Sequence, residues 1–368
     1  MSLTGTPFFF LTIALVVLAV AAMVAIWNRI PGPTPARVAA RVGLTVFSQV
    51  AAVLMVLVYV NNSMGPFYDT WGSLFGQNAD VQVTATGSKN AGSGDGSPSA
   101  TGVSAQKLNF TKYNDDVLQA NAVGPESHIK GDMYVWLPPQ YNDPAFAHTN
   151  FPVAELLPGT PGSPKTWFGS MHADKAMIKL MGEGKVKPMI LVSAKLNMFG
   201  GSKDSGCVNL PGGFQTATWL AKDVPTLMRQ NFRVADDPKK WAILGYSAGG
   251  YCAANLTVQY PQSFSAGVSM SGYNAPDAAV VVKDPKLAAA NNPLLLLQKA
   301  RPQPDIQLLM EGTLQDGSTV ADAKAMLRAL HNPRNSQLLT LSKGDHTTET
   351  FITEMTPSLI WASQQIAG

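Results

Sequence analysis

Trp241-Ala242-Ile243-Leu244-Gly245-Tyr246-Ser247-Ala248-Gly249-Gly250-Tyr251-Cys252-Ala253-Ala254-Asn255-Leu256 decides how this chain is read. An apolar run leads into Gly245, and a small-residue segment leaves Gly250. The pattern predicts a strand, a sharp turn carrying Ser247, and a helix. A serine at the tip of so tight a turn sits in strained backbone, and glycine on both sides leaves room for neighbouring chain. The helix that follows turns its amide-rich N-terminus toward the serine, where an oxyanion would develop during acyl transfer. A Gly-Ser turn that fits G-x-S-x-G by chance is the alternative, so partners are needed further along the chain.

A serine of this kind requires an acid and then a histidine downstream. His331 and His346 are the two histidines past Ser247. His346 follows the apolar stretch Leu338–Leu341 in a polar loop ahead of a helix, which suits a general base. His331 precedes Asn332-Pro333 and reads as an exposed helix end. For the acid, Asp316 lies in the loop after an expected strand over 305–310, where it would hold the imidazole tautomer. Glu311, taken to stand at that strand's terminus, competes with it. Asp322 reads as a solvated helix residue and Asp345 as a turn former. One oxyanion donor is expected from the Ala248 amide. The second is expected from Thr160, in the loop Pro158–Ser163 after the strand 151–157, with Gly162 as the alternative, since Pro161 has no N–H.

Together these features resemble the putative-esterase branch of the α/β-hydrolases, the group that includes esterase D and the antigen 85 mycolyltransferases. The resemblance covers about residues 107–365. It rests on Val135-Trp136-Leu137-Pro138-Pro139-Gln140-Tyr141, Leu156-Leu157-Pro158-Gly159, Gly245-Tyr246-Ser247-Ala248-Gly249-Gly250 and Gly344-Asp345-His346. Pro158-Gly159 stands where members usually carry His-Gly. The resemblance implies Ser247 as nucleophile, His346 as base and the amides of Thr160 and Ala248 as oxyanion donors. It implies an ester or acyl-donor substrate, envelope glycolipid or polysaccharide among the candidates, and leaves hydrolysis and transfer to a sugar hydroxyl both open. The expected fold is α/β, an α/β-hydrolase with a mostly parallel central sheet preceded by two transmembrane helices.

The chain has 368 residues, 46% of them hydrophobic and 14% charged. The first 65 residues explain that skew. No charge occurs from Phe8 to Trp27 or from Val42 to Val60, and about 20 apolar residues cross a bilayer core as helix. A buried soluble hairpin is the alternative, but helices of that length in a core keep a polar face. With no basic residue ahead of the first run, a cleaved leader is not expected. Arg29, Arg37 and Arg41 are assigned to the connecting loop, which the positive-inside rule puts in the cytoplasm and the rest outside. The expected division is a transmembrane hairpin over 1–65, a juxtamembrane segment and flexible Gly/Ser/Ala/Thr linker over 66–106, and the hydrolase domain over 107–368. Within the second part, Met64–Gly76 mixes aromatics with small residues and Thr84–Ala105 reads as a tether.

A net charge of +3 with no basic stripe argues against nucleic acid. Scattered histidines give no metal site, and no cofactor is expected. Cys207 follows an expected strand over 188–192, and Cys252 opens the helix behind Ser247. Both positions lie near the carboxyl ends of central strands, so a Cys207–Cys252 disulfide is expected, with two buried thiols as the alternative. Tyr273 and Asn274, at the end of the strand 264–273, are candidates to border the pocket, with 276–292 as a cap. His172 is the further candidate there, or a surface helix histidine. The rival function is a non-catalytic hydrolase-like domain, an envelope scaffold or a subunit beside a membrane-protein partner.

Overall fold

A computed structural model of the chain describes residues 6–63, 106–114, 116–200 and 203–367. The aromatic segment 64–76 and the small-residue stretch 84–105 lie outside the described residues. The chain divides into two units, Met1–Asp80 and Val81–Gly368.

The first unit holds two helices, α1 (Thr6–Ile26) and α2 (Thr34–Ser63). Phe8 packs with Val58, and the rings of Phe9 and Tyr59 lie 6.3 Å apart. At the other end, Arg41 Nε donates to the Trp27 carbonyl at 3.2 Å, and its guanidinium covers the Trp27 ring. The two helices therefore run antiparallel. Arg37 and Arg41 are not in the connecting loop as expected; they stand in the first turns of α2. Proline at the second position of the segment Thr34-Pro35 is preorganised for a helix start, so α2 begins before its apolar run does. Arg29 alone of the three lies between the helices.

The second unit is a nine-stranded sheet in the order β1-β2-β3-β5-β4-β6-β7-β8-β9. β1 (Thr111–Lys112), β2 (Val117–Val123) and β3 (Lys130–Trp136) are antiparallel to their neighbours. β4 (Val153–Leu157), β5 (Ile190–Ala194), β6 (Trp241–Tyr246), β7 (Ala266–Met270), β8 (Gln307–Thr313) and β9 (Gln337–Leu341) pair in parallel. β4, β5, β6 and β7 are buried at every residue, as expected of parallel strands covered on both faces.

One cover contains α4 (Val224–Asn231) and α5 (Ala248–Gln259), with Trp219, Leu220, Tyr251 and Leu256 in one core cluster. α3 (Ala173–Gly182) and α8 (Thr348–Ile366) lie on the other, where Trp167, Met177, Leu180 and Leu359 pack together. α6 (Pro293–Lys299) and α7 (Thr319–Ala329) enclose a third cluster around Met310 and Met326. The carboxyl ends of the parallel strands all open on one rim, where binding sites of open α/β sheets form.

Candidate active site

The site grows from the turn between β6 and α5. Ser247 has φ 56° and ψ −125°, a positive φ that a side-chain-bearing residue adopts only when its surroundings force it. A Cβ on Gly245 would come within 2.1 Å of the Gly249 carbonyl oxygen, and one on Gly249 within 2.4 Å of the Leu157 oxygen. The first glycine lets the turn close. The second lets the chain leaving β4 lie against it, which brings Gly159 and Thr160 to the serine. Ser247 N–H donates to the Met270 carbonyl at 3.0 Å, tying the turn to β7.

His346 stands in the loop between β9 and α8. Its Nε2 is 2.7 Å from Ser247 Oγ, and its Nδ1 is 2.7 Å from Asp316 Oδ2. The loops holding Asp316 and His346 are laced together. Gly344 N–H donates to Gln315 Oε1 at 2.9 Å, and the Thr313 hydroxyl donates to the Gly344 carbonyl. The Asp316 side chain is 12% exposed and that of His346 44%, so the acid lies behind the imidazole and the imidazole faces the solvent side.

Glu311 is not at a strand terminus. β8 runs on to Thr313, so Glu311 sits inside the sheet with Ser358 Oγ donating to it at 3.1 Å. Asp322 accepts from Ser318, Asp345 is exposed beside the imidazole's turn, and His331 is exposed past α7. His172 is the exposed residue before α3.

A cavity of about 780 Å³ opens over the serine, lined by Thr160, Phe199, Asp204, Ser247, Ala248 and Tyr273 among others. Thr160 and Ala248 therefore flank the hydroxyl from two different segments, and among the described residues neither N–H donates to a backbone carbonyl. A Cβ on Gly162 would come within 2.8 Å of both the Tyr246 hydroxyl and the Gly159 carbonyl oxygen. Tyr273 lines the cavity and stacks on Tyr251 at 5.1 Å, whereas Asn274 is not among the lining residues. Ala278, Ala279 and Val280, from the excursion after β7, form the opposite wall.

Cys207 and Cys252 are bonded, with Cα atoms 5.7 Å apart. The bridge fastens the loop carrying Asp204 to α5, and Val208 packs with Ala278 and Val281. The sequence reading missed Phe199, Lys203, Asp204 and Asp277 as lining residues. Phe199, Lys203 and Asp204 precede Cys207 closely in the chain, and Asp277 falls in the stretch 276–292 expected as a cap. Burial, then the like charge of Asp277, pushes the Asp204 carboxyl above its ordinary range.

Beneath the rim lies a second set of acids. Glu354 Oε1 accepts from Ser271 Oγ at 2.8 Å, and Glu311 lies close by. Burial raises both carboxyls, Glu354 to about 8, with the charge of Asp316 adding to the effect on Glu354. Glu155, in the middle of β4, is raised by burial as well.

Residues 127–362 match the family model described as Putative esterase. An uncharacterized protein of Corynebacterium glutamicum is 33% identical over 147 residues, 39% of this chain. The match spans 33% of that relative's own length. A ferulic acid esterase superposes with a TM-score of 0.59 at 18% identity, covering 70% of this chain and 99% of the esterase. An S-formylglutathione hydrolase from Agrobacterium tumefaciens gives 0.58 at 15% identity, covering 70% of this chain and all (100%) of its own. Fluorophosphonate-binding serine hydrolase F of Staphylococcus aureus gives 0.53 at 16%, covering 67% and 98%. At these identities the structures establish the α/β-hydrolase fold.

Proposed function

This chain belongs to the Putative esterase family, and from that premise we propose that it is a membrane-anchored serine esterase or acyltransferase working through Ser247, His346 and Asp316. One observation carries the reading: a continuous line of two 2.7 Å contacts from Asp316 through His346 to the Ser247 hydroxyl. Nε2 of His346 takes the hydroxyl proton as Ser247 Oγ attacks the ester carbonyl. Asp316 accepts the Nδ1–H and so stabilises the imidazolium that forms. The oxyanion of the tetrahedral adduct is held by the amides of Thr160 and Ala248, and one such donor is worth roughly 10²–10³ in rate. The adduct collapses, His346 protonates the departing alcohol oxygen, and the acyl group stays on Ser247. A water or a sugar hydroxyl, deprotonated by His346 in its turn, then releases the acyl group.

The membrane part of the reading rests on α1 and α2, both long and apolar enough to cross a bilayer. Val17, Leu18, Val24, Val46, Val50 and Leu57 are exposed on them, a surface that lipid tolerates better than water. Arg29, Arg37 and Arg41 gather at the connecting end, which favours a cytoplasmic turn and a catalytic domain on the extracytoplasmic side. A disulfide beside the cavity suits that compartment. An ester of the cell envelope, glycolipid or polysaccharide, is the substrate class that fits an anchored enzyme there.

The test is hydrolysis of p-nitrophenyl butyrate by the full chain in detergent. The parent turns it over, and Ser247→Ala does not while melting at the parent temperature. Turnover by the alanine variant at the parent rate would contradict the assignment.

A further inference from the structure

The residue ahead of the nucleophile, Tyr246, points away from the cavity and is 6% exposed. Three features of the site rest on it. A Cβ built on Gly159 would lie 2.9 Å from its ring carbon Cε2 and 3.0 Å from Ser247 Cβ, so the chain after β4 lies flat against both residues. A Cβ on Gly162 would reach 2.8 Å from its hydroxyl, which puts the far side of that loop on the same side chain. On its other side the ring stacks on Phe351 with centroids 4.8 Å apart and planes 28° from parallel. Phe351 in turn meets the His346 imidazole edge to face, at 5.0 Å and 85°. Trp167, fully buried, closes the column from behind at 5.5 Å.

Such a column has few ways to move. Trp167, Tyr246 and Phe351 are held in a packed interior, where a shift of one ring displaces the next, and the half-exposed imidazole rests on the last of them. Offset-stacked and edge-on aromatic contacts also fix relative orientation, not just separation. The hydroxyl interacts with Thr166 and with the Gly159 backbone, and burial pushes its phenol up to about 12, so it stays protonated through the working range.

We infer that Tyr246 is a positioning residue that sets two catalytic parts at once: through its hydroxyl and ring edge it fixes the loop Gly159–Gly162 that carries the Thr160 amide, and through Phe351 it fixes the plane of the His346 imidazole. This rests on the reading of Ser247 as nucleophile. The amide and the imidazole act on opposite sides of the same tetrahedral carbon, so their relative placement governs the transition state more than substrate binding. An error of about 1 Å in such placement costs on the order of 10²-fold. Loss of Tyr246 contacts should therefore lower kcat and leave KM nearly alone.

Two variants separate the two arms. Tyr246→Phe keeps the stack on Phe351 and removes the hydroxyl under Gly162. Tyr246→Leu removes both. Kinetics on p-nitrophenyl butyrate, normalised to the folded fraction, should give Tyr246→Phe a kcat about tenfold lower with KM within about twofold. The acid limb of its kcat/KM profile, which reports the free imidazole, should coincide with that of the parent. Tyr246→Leu should lose about 10²-fold in kcat and also move that limb. A tyrosine that merely fills the core would lower the melting temperature and leave kcat per folded molecule and the pH limb at parent values, and that result overturns the inference. Should Tyr246→Leu fail to fold, Tyr246→Phe alone decides, with parent kcat the refuting outcome. A parent with no esterase activity would remove the nucleophile reading as well; an active parent with an unaffected Tyr246→Phe removes this inference only.

Discussion

Replacing Glu354 by glutamine should stabilise the protein in a pH-dependent way. The side chain is fully buried in α8, accepts from Ser271, and keeps its second oxygen without a hydrogen-bond partner among the described residues. Burial first and the nearby Asp316 charge second raise its carboxyl from 4.5 to about 8. The sign follows from linkage. The unfolded chain sheds this proton near pH 4.5, whereas the folded chain holds it to about pH 8. Between those values the folded state binds more protons, so stability falls as pH rises and levels off above. At about 1.4 kcal/mol per pH unit the ceiling is on the order of 5 kcal/mol. Relaxation and the coupled titration of Glu311 bring the expected effect to about 2 kcal/mol. Glutamine keeps the acceptor for Ser271 and never ionises. Thermal melts across pH 5 to 9 should show the parent losing several degrees and Glu354→Gln losing markedly less, with the variant the more stable at pH 8. Parallel curves for the two proteins would refute the buried-proton argument.

Asp316→Asn should keep the fold and lower kcat roughly 10⁴-fold, because an amide no longer selects the Nδ1–H tautomer of His346; stopped assays at saturating ester measure it. Cys207→Ser with Cys252→Ser should lower unfolding free energy by about 4 kcal/mol, the entropy of closing a loop with a sequence separation of 45. Urea melts read that loss, and unchanged midpoints would count against the bond. Single cysteines placed at 32 and at 110 in a cysteine-free background should report sidedness. Impermeant maleimide should reach the second from outside intact cells and the first only after lysis.

Much of this site was legible because its determinants are local. The positive φ of Ser247 and the close approaches at Gly245 and Gly249 are demands that G-x-S-x-G meets, so five residues announced a turn the fold had to build around. Chain order then pointed to His346, the downstream histidine with a strand before it and a helix after it, whose Nε2 lies 2.7 Å from Ser247 Oγ. The contest between Asp316 and Glu311 hinged on where β8 ends. The pattern suggested residue 310, but Glu311 pairs onward with Leu339 of β9, and the strand continues to Thr313. A carboxyl inside a sheet is an improbable choice on propensity grounds; here the Ser358 hydroxyl donates to it, and burial raises its pKa toward the neutral form. Hydropathy likewise marks the apolar part of α2 and is silent on its first, polar turns, which hold Arg37 and Arg41. The cavity's acid wall had no motif, only its chain neighbourhood: Cys207 close after Asp204, and the expected cap 276–292 around Asp277. Asp204 and Asp277 belong to separate excursions, brought to one cavity by the disulfide and by Val208 packing on Ala278 and Val281.

The most direct test of the central claim is peptide mapping by mass spectrometry after exposure of the folded, full-length protein to a fluorophosphonate. One adduct is expected, on the peptide carrying Ser247, forming slowly or not at all in His346→Ala. An adduct on another serine, or none on a protein that melts cooperatively, would contradict it.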